Sequence, residues 1–61
     1  MTPLANRTVE CEEVFDKSTE WIDENATDPY EAAELRRRAR YALRRCKDGY
    51  SVIFPGGFAV A

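Results

Sequence analysis

Residues 28–49 read DPYEAAELRRRARYALRRCKDG, and this stretch decides the architecture. Asp28 before Pro29 is a helix N-cap followed by a proline at the first helical position, and Glu31 stands where a capping box needs its acid. Ala32, Leu35, Ala39, Ala42, Leu43 and Cys46 then recur along one helical stripe, while Arg36, Arg37, Arg40, Arg44 and Lys47 fall away from it. Gly49 supplies the left-handed stop. Acids early in the segment and bases late complement the helix dipole, and Glu34 is placed for an i,i+4 pair with Arg38. These signals agree on one amphipathic helix over residues 28–48.

Working back towards the N-terminus, Thr8 is a candidate N-cap for a first helix over residues 8–25. Cys11, Val14, Phe15, Ser18, Trp21 and Ile22 lie on one side of it, and Glu12, Glu13, Asp16, Glu20 and Asp23 lie opposite. Residues 1–7 then form a flexible N-terminal segment. Only a few residues around Ala26 and Thr27 join the helices, which predicts an antiparallel hairpin with alanines letting the backbones approach closely.

Working forward, the period changes to two. Tyr50, Val52 and Phe54 alternate with Ser51 and Ile53, Pro55-Gly56-Gly57 marks a turn, and Phe58 to Ala61 completes a β-hairpin over residues 50–61. Proline then glycine at the turn centre suits type II, with a bulge to reconcile it with the strands. The expected fold is small α+β: an antiparallel two-helix hairpin followed by a C-terminal two-stranded β-hairpin. Tyr50, Val52, Phe54 and Val60 are expected to cover the helices, leaving Ile53 and Phe58 on the other face. From Tyr50 to Ala61 there is no charged side chain. An isolated uncharged ribbon of this kind calls for completion, so a homodimer is expected, with Ile53, Phe54, Phe58 and Val60 as its interface.

Sixty-one residues make one domain near the lower limit of autonomous folding, where a disulfide, a metal or a second subunit usually contributes. An apolar fraction of 44% sets the chain apart from disordered sequences. There is no histidine, and two cysteines 35 positions apart match no zinc spacing, so no metal site and no cofactor are expected. The antiparallel hairpin would bring Cys11 and Cys46 together on the inward stripe. A disulfide between them is one reading. Two reduced apolar fillers is the other, and the commoner one in the cytoplasmic setting suggested by a chain with no membrane span and no leader-like apolar stretch at Met1 to Thr8.

The chain has a net charge of −2 that hides an asymmetry. Thr8 to Glu34 carries ten acids against Lys17 alone, and Leu35 to Asp48 carries seven bases against Asp48 alone. The arginine run suggests phosphate binding. The hairpin offers a competing account, in which Glu10, Glu12 and Glu13 face Arg44, Arg45 and Lys47 and the charges answer one another. What remains as a contact patch is Tyr30, Arg37, Tyr41 and Arg44, a mixture of aromatic and guanidinium groups typical of binding hot spots.

Without histidine, an activated thiol or a phosphate loop, catalysis is not expected. The functional expectation is a small binding protein acting on a protein partner. Compact chains of this type are common among phage and mobile-element accessory proteins, which include inhibitors of larger host proteins. A nucleic-acid-binding regulator using the arginine face, and a structural or assembly subunit, are the alternatives.

Overall fold

The computed structural model describes residues 3–61, with side chains from Arg7 onward. Two helices, α1 (Pro3–Asn25) and α2 (Pro29–Lys47), are followed by strands β1 (Val52–Phe54) and β2 (Phe58–Val60). The helices pack as an antiparallel hairpin, and the two-stranded antiparallel sheet lies across them, β1 mainly on α2 and β2 mainly on α1. The fold is therefore the small α+β arrangement read from the sequence.

Helix α2 begins and ends as its local signals require. The Asp28 side chain accepts the Glu31 N–H at 2.8 Å. Glu31 reaches back one residue further than an ordinary capping box, accepting from the Thr27 N–H at 2.7 Å and the Thr27 hydroxyl at 3.0 Å. At the other end Gly49 adopts φ 101°. There the Gly49 N–H donates to the Cys46 carbonyl and the Tyr50 N–H donates to the Arg45 carbonyl, each at 3.0 Å. This is the Schellman pattern, which satisfies carbonyls a helix end otherwise leaves open.

Helix α1 starts at Pro3, five residues before the expected Thr8 cap, so residues 3–7 of the expected N-terminal segment belong to the helix; Met1 and Thr2 lie outside the described residues. Pro3 stands at the first helical position, where proline's fixed φ suits a helix start, and Arg7 adds a tertiary anchor one turn on. Arg7 donates from Nε to the Cys46 carbonyl at 2.8 Å, from one Nη to the Ala61 main-chain oxygen at 2.6 Å, and from the other Nη to the Tyr50 carbonyl. One guanidinium thus ties α1 to the C-terminal end of α2, where the helix dipole favours a cation, and to both ends of the hairpin segment. Such ties act across 39 to 54 positions of sequence, beyond the reach of any local capping rule.

The inward stripes are as expected. Cys11, Ser18 and Ile22 of α1 and Ala39, Ala42 and Cys46 of α2 are buried, with Phe54 and Val60 of the sheet closing the core. Val14, Phe15, Trp21, Leu35, Leu43, Val52 and Phe58 pack around it. Cys11 and Cys46 are joined in a disulfide across Cα positions 5.9 Å apart, so the open end of the helical hairpin is closed covalently. Of the two readings left open by the sequence, the bridge is the one realised.

The hairpin register corrects the expected faces. Val52 pairs with Val60, Ile53 with Ala59 and Phe54 with Phe58. Three loop residues separate Phe54 from Phe58, which keeps both phenylalanines on the helix-facing side with Val52 and Val60. Phe58 is therefore part of the packed face, and Tyr50, which precedes β1, lies outside the core at 54% exposure with its ring against the Arg45 side chain of α2. The turn itself matches expectation: the Gly57 N–H donates to the Phe54 carbonyl at 3.0 Å, with Pro55 and Gly56 at its centre and Gly56 at φ 96°. The buried Ser18 hydroxyl donates to the Pro55 carbonyl at 2.7 Å and pins this turn to α1.

Candidate binding surface

The charge asymmetry of the sequence survives in space. Helix α1 carries seven acids against Arg7 and Lys17, α2 carries seven bases against Glu31 and Glu34, and each set is exposed on its own helix. Few of these charges neutralise one another. Lys47 meets Glu12 at 3.0 Å and Arg36 meets Asp23, two bridges across the seam between the helices. The expected network from Glu10, Glu12 and Glu13 to Arg44, Arg45 and Lys47 reduces to the Lys47–Glu12 pair alone. The expected Glu34–Arg38 pair is also absent, because Glu34 lies 3.9 Å from Arg37 instead. Among the described residues, Arg38, Arg40, Arg44 and Arg45 have no carboxylate within bridging distance.

Between the exposed side of α2 and β1 runs a groove of about 480 Å³, lined by Arg37, Arg38, Tyr41, Ala42, Arg45, Val52 and Ile53. Its floor is aliphatic and its rim is cationic. Arg45 organises one end: its guanidinium carbon lies 4.4 Å from the Tyr50 ring centre and 5.6 Å from that of Tyr41, and it donates to the Tyr41 hydroxyl at 3.3 Å. Stacking between two rings holds Arg45 in place while leaving the charge unanswered. Ile53, on the outer face of the sheet, is 73% exposed and adds an aliphatic side chain to the groove lining beside Tyr41.

The structure divides the four expected contact residues. Arg37 and Tyr41 line the groove. Arg44 faces the other flank of α2, beside Arg40, Leu43, Lys47 and Asp48. Tyr30, 89% exposed, stands eleven residues before Tyr41, which is about 16 Å along the helix axis, and takes no part in the groove. Of the expected interface residues, Phe54 at 1% and Val60 at 2% exposure belong to the core and Phe58 packs against it; Ile53 alone is presented to solvent. Sequence reasoning missed Arg38, Arg45 and Tyr50. Arg38, Tyr41 and Arg45 follow the i, i+3, i+7 spacing of one helix flank, a signal that becomes informative once β1 is known to lie beside that flank.

No described helix is long and apolar enough to cross a membrane. Compared with protein-family models, with curated proteins and with solved structures, the chain matches none of them.

Proposed function

We propose that this chain is a small binding protein that works by contact, and not by catalysis, with the α2–β1 face recognising a protein partner. The observation that carries this reading is the groove itself, in which an exposed Ile53 and Tyr41 are rimmed by Arg37, Arg38 and Arg45, the last two with no carboxylate in bridging distance among the described residues. Aromatic, arginine and aliphatic groups gathered around one depression are the composition of interface hot spots. A partner whose activity is modulated by such coverage fits the accessory or inhibitory role expected of a compact non-catalytic chain. The Cys11–Cys46 bridge favours maturation in an oxidising compartment over the cytoplasm expected from sequence.

Site-specific photocrosslinking tests the reading. A benzoylphenylalanine replacing Ile53 is expected to yield a defined, nuclease-resistant protein adduct in the native extract, and the same probe replacing Asp16 on the acidic face is expected to yield none. Adducts from position 16 alone, or from neither position, would overturn the assignment of this face.

A further inference from the structure

We propose that the open edge of β1 receives an extended acidic segment of a protein partner, added as a third strand with its carboxylates set against Arg37, Arg38 and Arg45. This rests on reading the α2–β1 face as the recognition surface, and it specifies what that surface takes.

Strand β1 is paired on one side with β2, and among the described residues no strand pairs its other side. That side opens onto the groove, since the groove is lined jointly by β1 and the exposed flank of α2. Edges of this kind are ordinarily blunted by charge or by proline within the strand. Here β1, Val52-Ile53-Phe54, has neither a charge nor a proline within its three residues, and the flanking Pro55 limits an added strand to the Ser51–Phe54 side of the edge. Main-chain donors and acceptors along an open edge, beside a groove, are the requirement for recognition by strand addition.

The surroundings select the segment. Side chains of an added strand alternate between the two faces of the sheet at about 3.3 Å per residue. Those turned inward would meet α2 at Arg38 and Arg45, seven residues and about 10 Å apart along the helix, and those turned outward would lie beside Ile53. An alternation of acidic and apolar residues therefore satisfies both sides at once. Arg38 and Arg45 are free to pair with it, and Arg37 is held only by Glu34 at 3.9 Å.

A second copy of this chain fits less well. Symmetric pairing of two β1 edges would place one basic α2 beside another, and symmetric pairing of two β2 edges would place one acidic α1 beside another, so like charges meet either way. A nucleic acid also fits less well. Phosphates gain nothing from the aliphatic floor, and the acidic α1 behind the groove, with a net charge of −2 overall, opposes approach of a polyanion.

The test titrates the oxidised full chain, labelled with nitrogen-15, with an end-blocked peptide of alternating glutamate and leucine. The expected result is saturable binding with amide shifts concentrated at residues 51–54 and along the Arg38–Arg45 flank. The lysine–leucine analogue is expected not to bind, and the double variant Arg38→Gln, Arg45→Gln is expected to bind about tenfold more weakly or worse. A peptide N-methylated at alternate amides keeps the charges but cannot pair with an edge; if it binds as well as the parent, strand addition is refuted. Tighter binding of a short DNA duplex with the same amide shifts would overturn the acidic segment in favour of phosphate. Salt-sensitive self-association of the chain alone, abolished by the double variant, would make a second copy the occupant. If the peptide fails while crosslinks from position 53 still capture a protein, the extended-segment proposal falls and the assignment of the face stands.

Discussion

The two helices reach the same conformation by opposite routes. Helix α2 carries its own instructions: an N-cap at Asp28, Pro29 at its first position, Glu31 early, Arg44, Arg45 and Lys47 late, and a Schellman stop at Gly49. Helix α1 has no acid in its first turn and no base in its last, so its dipole is uncomplemented at both ends. It is held instead by tertiary ties, namely Cys11 to Cys46, Arg7 to three main-chain oxygens, and Ser18 to the turn at Pro55. One helix is specified locally and the other by its attachments, so damage to the attachments should fall on α1 first.

The largest break is therefore the bridge. Replacing both cysteines by serine, or reducing the bond, releases a constraint closing 35 residues of chain, for which the loop-entropy estimate is about 3 to 4 kcal/mol. For a domain whose whole margin is small, the expected outcome is a melt shifted down by well over ten degrees. Hydrogen exchange should show residues 8–20 losing protection before residues 32–45. Equal loss in both helices would contradict the asymmetry.

A smaller break comes from Gly56. Its left-handed φ disfavours any side chain, and an added Cβ would stand 2.7 Å from the Phe58 ring and 2.9 Å from the Trp21 indole. Gly56→Ala is expected to cost about 2 to 3 kcal/mol by strain and overpacking together. Gly57→Ala meets open space at φ 88°, so only the backbone term of about 1 kcal/mol applies. Chemical denaturation of the two variants separates the tertiary contribution of Trp21 from the conformational one, and similar losses for both would show that Trp21 does not lock the turn to α1.

The same contrast explains what was legible in the sequence. Signals carried within a few residues, such as the Asp28 cap, the Gly49 stop, the alanine stripe and the Pro55-Gly56 turn, were readable because the chemistry is complete locally. The start of α1 carried a local signal in Pro3 that the Thr8 cap obscured, whereas its anchoring was not readable, because Arg7 finds its acceptors across 39 to 54 positions. Phe58, expected on the outer face, was legible as inward, because it stands two residues from Val60 in one strand and alternation gives the two the same face, which the pairing of Phe54 with Phe58 and Val52 with Val60 bears out. Proximity of Cys11 to Cys46 followed from two inward stripes in an antiparallel pair, whereas the thiols' oxidation state depends on surroundings that no spacing encodes. The groove was half legible: Arg37 and Tyr41 came from the helix projection, while Arg38, Arg45 and Tyr50 acquire meaning only when β1 is laid beside α2.

The smallest expected effect sharpens the comparison most. Arg38 and Arg45 are exposed, meet no carboxylate among the described residues, and lie outside the ties that hold α1. Surface charges of this kind contribute little to folding, so Arg38→Gln is expected to change stability by no more than about 0.5 kcal/mol. Arg45→Gln gives up its stacking on Tyr41 and Tyr50 as well, for a loss of about 0.5 to 1 kcal/mol. Denaturant titration of each oxidised variant measures this directly. Losses of 2 kcal/mol or more at both positions would mean that the arginines hold the fold together, and the groove would no longer need a partner to account for its charge. Losses as small as expected would leave six arginines in one 19-residue helix, of which four face no acid, with stability unable to account for them. That outcome would be consistent with the recognition proposed for this face, where the cations lie beside an uncharged strand edge.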